Sequence, residues 1–353
     1  MKSRFFRKSL KKFWAYLPGE QPDDAESWLK LNTNENPFPP PDVVLEAIKN
    51  AVDGKLRLYP SPTVARARKA VADWQQVDIT NVFVGNGADE ILELIFRAFV
   101  DPGTTVATLY PTYPLYRTLC TLHLGELTEH PYTQSWEIPD SFIEDLSEIK
   151  FVVNPNSPTG TYVPCLVIEE IARRAKGLVV VDEAYVDFAE GSCRSLLDRF
   201  DNIIIVRTFS KAFSLAGMRI GYALASPSIV EALDAVKDSY NVNRVAEAAC
   251  IAAVKNIDLF RQRINVIVEE RKRLENEIAK LGLQVLPSQA NFLFVLTSSD
   301  NVARTIYQQL KQRRILIRYF GMDSLRSGFR VTVGLRDQND SFLEALEAVL
   351  DNM

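Results

Sequence analysis

"IIIVRTFSKAFSLAGMRIGYA", residues 203–223, opens on an apolar, β-branched run and breaks it with Thr208, Ser210 and Lys211. The apolar pattern then resumes, with Arg219 eight residues past the lysine. Short runs of this kind are strands covered on both faces. In open α/β sheets, ligands sit beyond the carboxyl ends of the strands, so polar residues that end apolar runs mark a site. Three further runs end in the same way. "VVVDEAY" (179–185) closes on Asp182, with Tyr185 three residues on; "FVVNPNSPTG" (151–160) closes on Asn154 and Asn156; "FVGNG" (83–87) leads into Ala88 and Asp89. Taken singly each has a plain structural reading: Asp182 as a turn cap, Lys211 as a solvated charge, "GNGADE" as a strand–turn–helix junction.

These runs alternate with amphipathic segments, which predict helices over 42–52, 88–100 and 164–176, and strands at "TTVATL" and "EIKFVV". Such alternation implies a mostly parallel sheet wrapped by helices. The last hundred residues differ. A charged helical stretch over 258–281 precedes "ANFLFVLT", "RILIRYF" and "FRVTVG", read as strands, with helices over 302–312 and 340–350. The expected architecture is α/β. Residues 1–40 form an N-terminal arm and a segment of the small domain, 41–255 the large ligand-binding domain, and 256–353 a small α+β domain.

Composition narrows the function. With 353 residues, 47% hydrophobic and 24% charged, the chain fits a soluble globular protein of more than one core. No apolar stretch is long enough to span a bilayer. A net charge of −4 gives no field to attract nucleic acid, so the partner is a small molecule. Cys120, Cys165, Cys193 and Cys250 lie far apart, which writes neither a zinc ribbon nor a redox pair and fits a reducing cytoplasm. Only His123 and His130 are present, which argues against a histidine triad or a multi-histidine metal site. Six basic residues among the first nineteen alternate with Phe5, Phe6, Phe13 and Trp14 and lack the apolar core of a secretory signal. They read as an arm packing its aromatics on the body or on a partner subunit, a transit peptide or a membrane-surface helix being the alternatives.

The polar strand ends describe one ligand. A lysine in apolar surroundings suits Schiff-base formation, and an aspartate on a neighbouring strand suits a protonated pyridine nitrogen; the cofactor that needs both is pyridoxal phosphate. The helix N-terminus near Ala88, with Ser210 and Arg219, offers amides, a hydroxyl and a charge to its phosphate.

With "LNTNENPFPP", "YPSP", "GNGADEIL", "PTYPLY", "NPNSPTG", "VVVDEAY", "TFSKAFSLAGMRIGY" and "FRVTVG" in this order, the chain resembles the class I/II aminotransferases of pyridoxal-phosphate fold type I, from about residue 16 to the end. Within that family it is most similar to the histidinol-phosphate aminotransferases. The resemblance implies transamination of L-histidinol phosphate with 2-oxoglutarate, giving imidazole-acetol phosphate and glutamate in histidine biosynthesis. An aromatic or broad-range aminotransferase, or a decarboxylase of an amino-acid phosphate, is the alternative. It makes Lys211 the residue that carries the cofactor and shuttles the proton, Asp182 the partner of the ring nitrogen, and Tyr185 a ligand of the 3′ oxygen. Tyr113 would stack on the ring, while Thr208, Ser210, Arg219 and the amides of Ala88 and Asp89 would hold the phosphate. Tyr59 would reach the cofactor and substrate of the other subunit in a homodimer with composite sites. Arg330, Arg318 and Asn34 would bind the substrate. One departure stands out: Ser157 occupies the place where the wider superfamily commonly has an asparagine bound to the 3′ oxygen, and Asn156 or Asn154 is expected to substitute.

Overall fold

A computed structural model describes residues 4–7, 10, 18–321 and 324–353. Phe13 and Trp14 of the expected arm lie outside the described residues, while Phe5 and Phe6 are exposed. Thirteen strands are formed among the described residues: β1 Leu29–Lys30, β2 Val82–Gly85, β3 Thr105–Tyr110, β4 Glu126–Pro131, β5 Ile149–Val153, β6 Leu178–Asp182, β7 Ile203–Thr208, β8 Gly221–Ala225, β9 Gln284–Val285, β10 Phe292–Leu296, β11 Ile315–Leu316, β12 Arg318–Tyr319 and β13 Gly328–Thr332.

Seven of them make the central sheet, in the order β2-β8-β7-β6-β5-β3-β4. All neighbours run parallel except β8, which is antiparallel to both β2 and β7. This is the mixed, mostly parallel sheet expected of the fold. Apart from the edge strand β4, its strands bury both faces, and the side-chain period of two divides them between two cores. Val179, Val181, Ile203 and Ile205 belong to one apolar cluster, whereas Val180, Ile204, Val206 and Phe151 belong to the other. Continuing the alternation, Asp182 and Thr208 fall on the second face at the carboxyl ends of β6 and β7. Glu183 and Arg207 fall on the first, where Arg207 Nη2 lies 2.8 Å from Glu183 in a buried ion pair.

The C-terminal part carries an antiparallel sheet, β12-β13-β10-β9. The expected single strand "RILIRYF" is two. Ile315–Leu316 pairs in parallel with Leu29–Lys30 of the N-terminal segment, and Arg318–Tyr319 pairs with β13. The sequence also left β4 unread: its alternation of partly exposed residues is that of an edge strand, weaker than the buried runs beside it. The helix expected over 340–350 begins earlier, at Arg336, where the Gln338 side chain accepts from the Leu335 amide and caps the first turn.

Candidate active site

Lys211 follows β7 in a tight turn held from a distance. Asn36 donates to the carbonyls of Lys211 (2.9 Å) and Ala212 (3.1 Å), and the Lys211 ammonium donates to the Thr33 carbonyl at 3.2 Å. Its Nζ lies 5.7 Å from the centre of the Tyr185 ring. The N-terminal segment "TNEN" therefore supplies both the brace behind the lysine and the acceptor in front of it.

Asp182 is buried and forms no ion pair among the described residues. Its Oδ2 accepts from the Tyr116 phenol at 2.6 Å and its Oδ1 from the Ala184 amide at 3.1 Å. Burial pushes its pKa up to about 6, partly offset by those two donors. A buried carboxylate served only by neutral donors is a site for a cation. Tyr185 accepts from Asn34 Nδ2 at 2.9 Å, and so keeps its own hydroxyl hydrogen to donate.

The helix Ala88–Phe99 starts after Gly87, whose φ of 87° no other residue adopts without strain, and no side chain caps it. A Cβ on Gly87 would lie 2.7 Å from Arg219 Nη2, and one on Gly221 would lie 2.7 Å from the Ala88 amide. Both glycines thus let a guanidinium and a helix N-terminus close on one point. Thr208 donates to Ser210 Oγ at 2.9 Å, with Arg219 Nη1 3.5 Å from that oxygen. Arg219 Nη2 and Asp89 Oδ2 are 3.3 Å apart, and the Tyr113 hydroxyl donates to Asp89 at 3.1 Å. Amides, two hydroxyls and a guanidinium around a cradle that a single methyl would fill fit a phosphate; Asp182 fits a pyridinium; Lys211 lies in the chain between Ser210 and Arg219 of the cradle. The residues present fit pyridoxal phosphate.

Arg330 is buried on β13, donating to the Asn32 carbonyl at 2.9 Å and to Ser157 Oγ at 3.2 Å. Arg318 faces it across the strand pair and donates to the Pro18 carbonyl at 3.2 Å. The structure thus ties Ser157 to an arginine. Asn156 spends its two amide hydrogens on Pro111 O and Thr159 Oγ1 and accepts from Thr112, bracing the loop itself. Asn154 is engaged with both backbone groups of Val163. Asn34, in the left-handed region, joins Tyr185 to Thr332 and is itself buried. Tyr59 stands apart at 80% exposure, its ring stacked 4.4 Å from that of Tyr240.

Two residues of the site escaped the sequence reading. Tyr116, to which the sequence assigned no role, lies in the first turn of the helix Leu115–His123, three residues past Tyr113, and donates to Asp182; its nearness to Tyr113 was its only signal. Asn36 carried none, since its partners are backbone carbonyls 175 residues away. No group of His, Cys, Asp and Glu that could hold a metal occurs among the described residues, and no helix among them is long and apolar enough to cross a membrane.

The sequence pattern described as aminotransferase class I and II matches residues 26–346. The chain is 40% identical to histidinol-phosphate aminotransferase 1 of Nostoc sp. over 352 residues, 99% of each chain. To the histidinol-phosphate aminotransferase of Geobacter sulfurreducens it is 38% identical over 347 residues, 98% of this chain and 99% of that one. Its fold matches the crystal structure of histidinol-phosphate aminotransferase from Sinorhizobium meliloti in complex with pyridoxal-5′-phosphate, with a TM-score of 0.90 at 29% identity and 99% coverage of both chains.

Proposed function

The chain belongs to the class I and II aminotransferases, and we propose that it moves the amino group of L-histidinol phosphate to 2-oxoglutarate, giving imidazole-acetol phosphate and glutamate for histidine biosynthesis. Pyridoxal phosphate, when bound, supplies a carbonyl that joins the substrate nitrogen and a protonated ring that withdraws the electron pair left at Cα. The remaining work falls to the chain. Lys211 holds the cofactor through its ε-amine and, once displaced by substrate, carries the proton between the substrate Cα and the cofactor C4′. Asp182 keeps the ring nitrogen protonated, and Tyr116 keeps Asp182 oriented. Tyr185 donates to the 3′ oxygen while Asn34 fixes its hydroxyl. Tyr113 covers the ring, and Thr208, Ser210, Arg219 and the first amides of the helix Ala88–Phe99 hold the phosphate.

Arg330 and Arg318 bind the anionic end of the substrate. Histidinol phosphate brings a phosphate and no α-carboxylate, whereas glutamate brings two carboxylates, so one pair of arginines serves both. The observation that carries the reading is the buried, cation-free Asp182 beside a glycine-lined cradle, at the carboxyl ends of adjacent strands, with two arginines opposed on the neighbouring sheet. The exposed Tyr59–Tyr240 pair supports a homodimer in which Tyr59 completes the partner's site, the free cysteines Cys120, Cys165, Cys193 and Cys250 support a reducing cytoplasm, and the two sheets support a large domain over 41–255 and a small one over 256–353 with part of residues 1–40.

The test is a half-reaction screen, in which the holoenzyme's bound cofactor is converted to its amine form by candidate donors. Histidinol phosphate is expected to exceed phenylalanine, tyrosine and aspartate in kcat/KM. An aromatic amino acid ahead by about tenfold, about 1.4 kcal/mol of transition-state preference, hands the function to an aromatic aminotransferase.

A further inference from the structure

Arg318 and Arg330 are direct cross-strand partners in the β12–β13 pair. Like charges so placed repel, and a strand pair that opposes two arginines needs something to hold their heads in one place. Phe320 is placed to do so. It lies two residues beyond Arg318, hence on the same side of the chain where the extended conformation continues. Both guanidinium carbons lie over its ring, Arg318 at 5.4 Å from the centroid and Arg330 at 5.5 Å. Arg330 also lies 5.0 Å from the Phe292 ring. The Phe320 ring is anchored in turn, with Phe294 6.3 Å away and Leu286 and Leu325 in the same small apolar cluster.

Resting on the reading of these arginines as the substrate's anion clamp, we propose that Phe320 is a positioning residue that gathers the two guanidinium groups for a dianionic group, a phosphate monoester above all. An aromatic face attracts both cations without neutralising either. A carboxylate in the same place would pair with them through the very N–H edges that a ligand needs. The ring takes no hydrogen bond from either guanidinium, so their N–H groups are left for oxygen acceptors, as the donations of Arg330 to Asn32 and Ser157 and of Arg318 to Pro18 illustrate. Two converging cations favour a doubly charged phosphate over a singly charged carboxylate, and the selectivity is thus set by a residue that bears no charge.

The experiment uses holoenzyme, whose cofactor already fills the first phosphate site, at a pH near 8 where inorganic phosphate is a dianion. Dissociation constants for inorganic phosphate and for acetate are read from the change in cofactor absorbance and checked as competition against glutamate in the half-reaction. Phe320→Leu is expected to weaken phosphate binding about three- to tenfold, as two partly exposed cation–π contacts would, and to leave acetate within about twofold. Phe320→Tyr, which keeps the ring, is expected to restore phosphate binding. Unchanged phosphate binding in Phe320→Leu overturns the proposal. So does an equal loss for phosphate and acetate, the mark of general distortion, or a Phe320→Tyr variant as impaired as Phe320→Leu. The activity itself is scored separately. Wild-type enzyme that binds phosphate through Phe320 and yet does not react with histidinol phosphate refutes the substrate and leaves this role standing.

Discussion

The Tyr116 phenol donates a 2.6 Å hydrogen bond to Asp182 Oδ2, and both residues are buried. Burial raises the Asp182 pKa from 3.8 to about 6, while the phenol and the Ala184 amide pull it down. Since the folded chain binds this proton more tightly than the unfolded chain, Asp182 lowers the stability of the cofactor-free protein as pH rises from about 4 to about 6. Above that range the carboxylate is ionised and ready for a cation. Affinity of the apoenzyme for pyridoxal phosphate is therefore expected to fall as pH drops through about 6. Tyr116→Phe removes a donor that stabilises the ionised form and moves that fall to higher pH. Dissociation constants measured from pH 5 to 8 check this; identical profiles for the two proteins would show that the phenol does not tune the carboxylate.

Lys211→Ala is expected to abolish transamination while leaving cofactor bound, because the cradle of Ser210, Thr208, Arg219 and the helix N-terminus is intact without the amine. Absorbance of the dialysed variant reports retention, and the half-reaction reports turnover. Asp182→Asn should lose at least about a hundredfold in kcat, since a neutral amide cannot hold the charge on the ring nitrogen. A value within about twofold of wild type would assign that task to another residue.

Gly87→Ala tests the phosphate cradle without replacing a charged group. The added methyl would stand 2.7 Å from Arg219 Nη2, at a backbone φ of 87° that alanine adopts only with strain. Strain and displacement of Arg219 together are expected to weaken pyridoxal phosphate by about tenfold or more, with thermal unfolding of the apoenzyme shifted by a few degrees. Pyridoxal without its phosphate should bind both proteins alike. Equal weakening of the two would mean that the change disturbs the ring site.

Much of this was legible because each signal was local. The runs closing on Asp182 and Thr208 are continuous apolar strands, and a sheet covered on both faces leaves polar residues no place but the strand end. Lys211 and Arg219 lie within one such turn. What depended on distant chain was not legible. "RILIRYF" reads as one strand because periodicity is blind to a change of sheet at Ile317, and β8 gives no sign that it runs antiparallel between β2 and β7. Ser157 shows the same limit. The sequence reads it as a short replacement for asparagine, whereas in the fold its hydroxyl accepts from Arg330, 173 residues on.

The exposed stack of Tyr59 on Tyr240 leads to the last prediction. An aromatic ring at 80% exposure, lying flat at 12° on a second exposed tyrosine, is open to a partner subunit. If it completes the partner's site, a Tyr59→Ala subunit lacks only what it gives away and a Lys211→Ala subunit lacks only what it keeps. A heterodimer of the two then has one site with both residues and one with neither. Mixed in equal amounts and allowed to exchange, two inactive proteins should recover about one quarter of wild-type activity, because half the dimers are mixed and half their sites are whole. Differently tagged subunits establish that exchange has occurred. Mixed dimers that form and stay inactive would place Tyr59 outside the active site and return the stack to a plain role in subunit contact.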